Sequence, residues 1–129
     1  RPGASISTVA TFFKKESDFR DPNQVKVVLK NNGFALYFSR SPIPFARDKD
    51  EKWDGIKFLK PLKHIGIYAY KKQFLEDFLV SEESQLERVE KLEQLRALQN
   101  GYEIAVAICE NDSIGIDVPS DLKFLRRII

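Results

Sequence analysis

Lys63-His64-Ile65-Gly66-Ile67-Tyr68-Ala69-Tyr70 alternates as a strand does, with Ile65, Ile67 and Ala69 on one face and His64, Gly66, Tyr68 and Tyr70 on the other. Beyond Tyr70 the period changes. Gln73 to Leu79 sets Phe74, Leu75, Phe78 and Leu79 on one side of a short helix. Ser84 to Asn100 reads as a longer helix, with Leu86, Val89, Leu92, Leu95 and Leu98 in an apolar arc and Gly101 as its stop. Tyr102 to Cys109 returns to a strand pattern. Upstream, Ser5 to Phe13 is β-branched and aromatic, Lys14 to Asn23 is polar and turn-rich, and Gln24–Lys30 and Phe34–Phe38 flank Asn31-Asn32-Gly33. That turn chemistry suits positive φ and predicts a β-hairpin. Strands and helices alternating after a hairpin predict an α/β chain with a mixed sheet and flanking helices.

With 129 residues, 43% of them hydrophobic and 31% charged, the chain suits one globular unit with a modest core. Its 21 basic and 19 acidic residues are spread rather than clustered. This gives no footprint for nucleic acid or an anionic membrane, so an anionic ligand must be held locally. No apolar run reaches membrane-spanning length and no h-region opens the chain, so the expectation is a soluble, cytoplasmic protein. Cys109, the only cysteine, reads as a buried strand thiol in a reducing compartment. The start at Arg1-Pro2-Gly3 and the absence of methionine imply a fragment or a processed product.

Chemistry concentrates in a few places. In Tyr37-Phe38-Ser39-Arg40-Ser41-Pro42-Ile43-Pro44 an arginine leads into two prolines that restrict both themselves and the residues before them. Arg40 and Arg47 bracket the prolines and suit an anion clamp, the bland alternative being a surface salt bridge. His64, the single histidine, shares a strand face with Tyr68 and reads either as a satisfied structural histidine or as a pocket group; one His and one Cys make no zinc site. On the long helix Glu87, Glu90, Gln94 and Ala97 face away from the leucines with Glu93 at their edge, a stripe that usually means solvated surface. Asp117, in Gly115-Ile116-Asp117-Val118-Pro119, precedes a closing helix over Pro119–Ile129 and suits an N-cap. Trp53 lies in a charged loop, Lys49 to Lys60, as a platform or a packed aromatic.

Four segments in this order, ALYFSRSPIPFARD, KHIGIYAY, LEQLRALQNG and GIDVPSDL, resemble the C-terminal half of the 3-deoxy-manno-octulosonate (KDO) cytidylyltransferases, the CMP-KDO synthetases. The resemblance implies the nucleotide-diphospho-sugar transferase (Rossmann-like) fold. It makes residues 1–129 the C-terminal, sugar-binding and dimerisation portion of one domain whose CTP-binding portion is absent from this sequence. It implies CTP and KDO as substrates, Mg2+ as cofactor and a homodimer, in the supply of lipopolysaccharide precursor. It implies that Arg40, Arg47, His64, Tyr68, Glu93 and Gln94 contact the sugar acid and converge on one pocket. It implies that Asp117 is the catalytic metal ligand, here followed by Val118 where the family commonly has threonine. The family's Pro-Ala-Arg phosphate cradle and Gln-Gly-Asp-Glu-Pro segment are not in these residues, so the chain alone is expected to be inactive. Alternatives are a cytidylyltransferase for another acid sugar, such as 8-amino-KDO or a sialic acid, or a non-catalytic dimerisation module. The aromatics Phe12, Phe13, Phe34, Phe38, Phe45 and Trp53 exceed what a small core covers and support the dimer.

Overall fold

The computed structural model describes residues 4–48 and 59–110. Asp117, the closing helix and Trp53 lie outside the described residues.

The first strand, β1 (Ile6–Phe12), lies second from one edge of the sheet, and its residues are buried except at its end. β2 (Lys26–Leu29) and β3 (Ala35–Ser39) form the expected hairpin, closed where the Lys30 amide donates to the Phe34 carbonyl at 2.7 Å, with Gly33 at φ 86° in the turn. β4 (Leu62–Tyr70) lies antiparallel to both β1 and β2, and β5 (Ile104–Ile108) lies parallel to β1. The order is β3-β2-β4-β1-β5, a mixed sheet as the alternation of elements predicts. The hairpin tip also reaches the outer edge of β5, where the Val106 amide donates to the Gly33 carbonyl and Phe34 bridges Ala105. A short helix not foreseen in the polar stretch, α1 (Glu16–Arg20), buries Phe19 edge-on against Phe13.

α2 (Lys72–Leu79) buries only Phe74 of its four apolar side chains. Contrary to the expectation of one helix over Ser84–Asn100, there are two, α3 (Gln85–Glu90) and α4 (Gln94–Gln99). The break is at Lys91, which adopts a left-handed φ of 56° and returns its amide to the Glu87 carbonyl. Such a conformation in a residue with a Cβ costs about 1 kcal/mol or more, so something must hold it. The break also reverses α3. Glu87 is buried while Leu86 and Val89 are exposed, the opposite of the apolar-arc prediction.

The core joins Ile6 and Ala10 of β1, Val27, Phe38, Leu62 and Ile104 of the other strands, Phe74 and Leu95 from the helices, and Leu92 from the α3–α4 joint. Phe13 and Phe38 are buried and Phe12 and Phe34 half-buried, so Phe45 is the one exposed member of the described aromatics in that set, and the expected aromatic surplus is not there. Among the described residues the most exposed large apolar side chains, besides Phe45, are Leu79, Val80 and Val89. Cys109 falls one residue beyond β5 and is half-buried rather than enclosed. Among the described residues no helix is long and apolar enough to cross a membrane.

Candidate functional site

β4 supplies one wall of a cavity and the α3–α4 joint supplies the other. The register of β1 against β4 shifts between Thr8 and Val9, which pair with Tyr68 and Ile65, so Gly66 and Ile67 form a bulge. Thr8, itself buried, plugs it: its hydroxyl lies 2.7 Å from the Ile67 carbonyl, 3.2 Å from that of Ile65, and 2.9 Å from His64 Nε2. The two residues that skip pairing keep His64 and Tyr68 on the same side, with ring centroids 5.4 Å apart. From there the aromatic series continues through Tyr70, Phe74 and Phe78, each ring within 5.8 Å of the last, to the Arg96 guanidinium 4.6 Å above Phe78.

Protonation along this wall follows from burial. His64 is lowered from 6.5 to about 4 because its cationic form is desolvated, so the ring is neutral at physiological pH. The Thr8 hydroxyl has one proton, and both nearby carbonyls can only accept. That proton therefore goes to a carbonyl, Nε2–H of His64 donates to Oγ1, and Nδ1 keeps a lone pair. Burial, then Tyr70 and Glu93, push the Tyr68 phenol up; burial and Glu93 do the same for Tyr70. Both remain hydroxyl donors.

The second wall is anchored by Glu90. Its carboxylate accepts from the Tyr37 hydroxyl at 2.8 Å, the Ser39 hydroxyl at 2.8 Å and the Arg40 amide at 2.7 Å. Burial alone would raise this carboxyl, but the Arg40 amide, both hydroxyls and the Arg40 charge outweigh it and hold the group below its usual range. Burial and the Glu90 hydrogen bond push Tyr37 up to about 12. Arg40 completes the anchor by donating to the carbonyls of Glu90 at 2.6 Å, Lys91 at 3.3 Å and Pro22 at 3.0 Å. These bonds satisfy carbonyls that a helix end leaves open, and they hold Lys91 in its left-handed turn. Lys26, fully buried, donates to the carbonyls of Asp21 and Arg40 and fixes the backbone below; burial lowers its pKa.

Between the walls lies a cavity of about 170 Å³, lined by Tyr68, Tyr70 and Phe78 on one side and Lys91, Glu93 and Gln94 on the other, with Ile6 and Leu92 at its floor. Ligand pockets usually enclose about 300–1,000 Å³, so this cavity is smaller than a usual ligand site. Tyr68, Glu93 and Gln94 thus come together as expected. His64 stands one ring contact behind Tyr68, with no place in the lining. Arg40 lies beneath the joint with its guanidinium committed to carbonyls, and Arg47 is exposed in the loop beyond the cis Ile43–Pro44 peptide. Asp117 lies outside the described residues, among which no cluster of His, Cys, Asp and Glu is arranged to hold a metal. Sequence reasoning missed Glu90, Thr8 and Lys91. Glu90 hides in a stripe that reads as solvated, Thr8 in an apolar strand, and Lys91 carries no signal for positive φ, which Gly or Asn would have given.

Comparison with known proteins places the chain in a family. The family described as Cytidylyltransferase matches residues 2–105. A 3-deoxy-manno-octulosonate cytidylyltransferase of Thermodesulfovibrio yellowstonii is 51% identical over 126 residues, covering 97% of this chain and 49% of that protein. The protein of the same name from Vibrio cholerae serotype O1 is 44% identical over 127 residues, covering 98% and 50%. A solved structure of CMP:2-keto-3-deoxy-manno-octonic acid synthetase complexed with CTP superposes with a TM-score of 0.76 at 34% identity, covering 98% of this chain and 49% of that one. The chain spans about half the length of the curated relatives it matches.

Proposed function

This chain belongs to the cytidylyltransferase family, and from that premise we propose that it is the sugar-acid-binding part of an enzyme converting CTP and KDO to CMP-KDO and diphosphate. Convergence of Tyr68, Glu93 and Gln94 on one cavity is the observation that carries the reading. A polyhydroxy acid needs acceptors and donors at fixed spacing. Glu93 accepts from sugar hydroxyls, the Gln94 amide both donates and accepts, and the Tyr68 phenol, kept protonated by burial, donates. In the reaction the anomeric oxygen of the sugar forms a bond to the α-phosphorus of CTP as the bond to the departing diphosphate breaks. The contribution of this chain is positioning: a sugar held by one strand and one helix joint has its attacking hydroxyl pre-aimed. His64, neutral and with its tautomer set by Thr8, moves no proton; it backs Tyr68.

Asp117 is the residue of this chain that would hold Mg2+, which when bound supplies positive charge to the triphosphate. To a homodimer contact we assign the exposed apolar residues Leu79, Val80 and Val89. The protein is then a cytoplasmic transferase acting before lipopolysaccharide assembly.

Diphosphate release with CTP, Mg2+ and KDO tests the reading, using the chain alone and mixed with the complementary N-terminal half of the Thermodesulfovibrio relative. No release alone and release from the mixture, lost on Tyr68→Phe with Gln94→Ala, is expected. Release that survives both substitutions, or that proceeds equally with a neutral octose, would place the sugar elsewhere.

A further inference from the structure

Alternation by itself does not bring His64 against Tyr68. Residues four apart on a regular strand are separated by about 13 Å, yet these two rings lie 5.4 Å apart. The register explains the difference. His64 pairs with Ala10 and Tyr68 with Thr8, so two residues of β1, about 7 Å, separate them in place of four of β4. Gly66, which strict alternation would set between the rings, is turned out: it is exposed, and a Cβ added to it would meet no atom within 4 Å. The aromatic wall is therefore continuous only while Gly66 and Ile67 stay out of the ladder.

What holds them out is a hydroxyl. Thr8, 1% exposed, sets Oγ1 against the carbonyls of Ile65 and Ile67, at 3.2 and 2.7 Å, and takes the Nε2–H of His64 at 2.9 Å. One side chain of β1 thus grips β4 on both sides of Gly66 and the imidazole as well. Valine would fill the same buried place, but only a hydroxyl donates to a carbonyl and accepts from the ring at once. Thr8 does not line the cavity; it acts through the ring behind Tyr68 and the backbone beside it. We propose that Thr8 is a positioning residue of this site: its hydroxyl holds the bulge that sets His64 against Tyr68, and so fixes where the Tyr68 phenol meets the cavity. The inference rests on the reading of that cavity as the sugar-acid site, and goes past it in assigning the placement of the strand wall to a residue of β1 outside the lining.

Because His64 is the single histidine, its ring protons give one resolved set of signals. Their nuclear Overhauser effect to the Tyr68 ring reads the bulge without any ligand, and calorimetric titration with KDO, on the chain alone and with the complementary half, reads the site. Thr8→Val, which keeps the shape and removes the hydroxyl, should abolish the Overhauser effect and weaken KDO binding by about fivefold to tenfold, the loss of one neutral hydrogen bond. Thr8→Ser keeps the hydroxyl and removes a buried methyl, so it should lower the melting temperature by about 3–6 °C yet keep both the Overhauser effect and the affinity. A threonine with a merely structural role would make affinity follow melting temperature. Loss of affinity in Thr8→Ser would show that and overturn the inference, even where Thr8→Val does not fold. An Overhauser effect or an affinity unchanged in Thr8→Val overturns it too, and leaves the sugar-acid reading intact when the wild type binds KDO. A wild type that binds KDO in neither sample overturns that reading, and with it the role of Thr8 in binding.

Discussion

The two walls of the cavity are built by opposite rules. On β4 a glycine, Gly66, occupies a bulge whose backbone does not require one, since its φ is not positive and a Cβ there would meet nothing within 4 Å. At the α3–α4 joint a lysine occupies a turn that glycine would favour. The strand wall is held by its neighbours in the sheet, with the Thr8 hydroxyl filling the irregularity, so its residue types are under light conformational demand. The helical wall has no such ladder. It is held by side chains, and its geometry depends on two carboxylates three residues apart: Glu87 fastens α3 to α4 through Arg96, and Glu90 fastens α3 to β3. One wall of the cavity is thus fixed by backbone pairing and the other by charge, and the two should fail differently.

Removing the charge should damage the helical wall most severely. Arg96 and Glu87 form a two-bond pair at 2.7 and 2.8 Å, with side chains only 16% and 6% exposed, and Arg96 also donates to the carbonyls of Phe78 and Ser81. Arg96→Ala leaves Glu87 buried without its partner and should cost about 3–5 kcal/mol in urea unfolding. Glu90→Gln, which keeps the shape and some of the hydrogen bonds, should cost about 1–2 kcal/mol. A loss below about 1 kcal/mol in Arg96→Ala would mean that packing, not charge, holds the helical wall.

The legibility of the chain divides along the same line. β4, β1 and the hairpin are readable because period-two alternation and Asn31-Asn32-Gly33 are local signals that the ladder reinforces. The break in the long helix is not, because it arises from contacts between Glu90 and residues some fifty positions earlier, which no window of sequence contains. The same holds within the site. Tyr68 and Gln94 line the cavity as the resemblance implies, whereas the commitment of Arg40 to three carbonyls is invisible in a segment that looks like a free clamp. Glu87 shows the limit of periodicity: a charged stripe opposite leucines is normally solvated, but a half-buried arginine nine residues on reverses the face.

The two walls should also respond differently to pH, because the strand wall carries the histidine and the helical wall the carboxylates. Folded His64 takes up its proton only near about pH 4, whereas the unfolded residue does so near 6.5. Stability is therefore full above 6.5 and declines as pH falls toward about 4, by up to about 1.4 kcal/mol per unit and about 3 kcal/mol in all. Glu87 and Glu90 are both held below their usual 4.5, so their contribution is present above that value and is lost only as pH falls further. Urea midpoints between pH 7 and 3 should show two successive declines, and His64→Gln should flatten the upper one alone. An upper decline that survives in His64→Gln would assign it to other groups.

The smallest expected effect returns to Gly66. Glycine gains the most conformational freedom on unfolding, so replacing it where its native φ suits any residue and space is open stabilises chiefly through the unfolded chain. Gly66→Ala meets both conditions, since no atom lies within 4 Å of the added Cβ. A gain of about 0.4–1 kcal/mol, read as a rise of about 2–4 °C in melting temperature, is expected. The bulge itself should persist, because Thr8 rather than Gly66 supplies the hydrogen bonds that define it. KDO affinity should not change, since Gly66 does not line the cavity. A fall in melting temperature would show that the strand wall is as demanding of its residues as the joint is, and the contrast between the two walls would collapse. Unaltered stability with weakened KDO binding would instead show that the ligand lies against the β4 backbone at the bulge, extending the site along the strand toward His64.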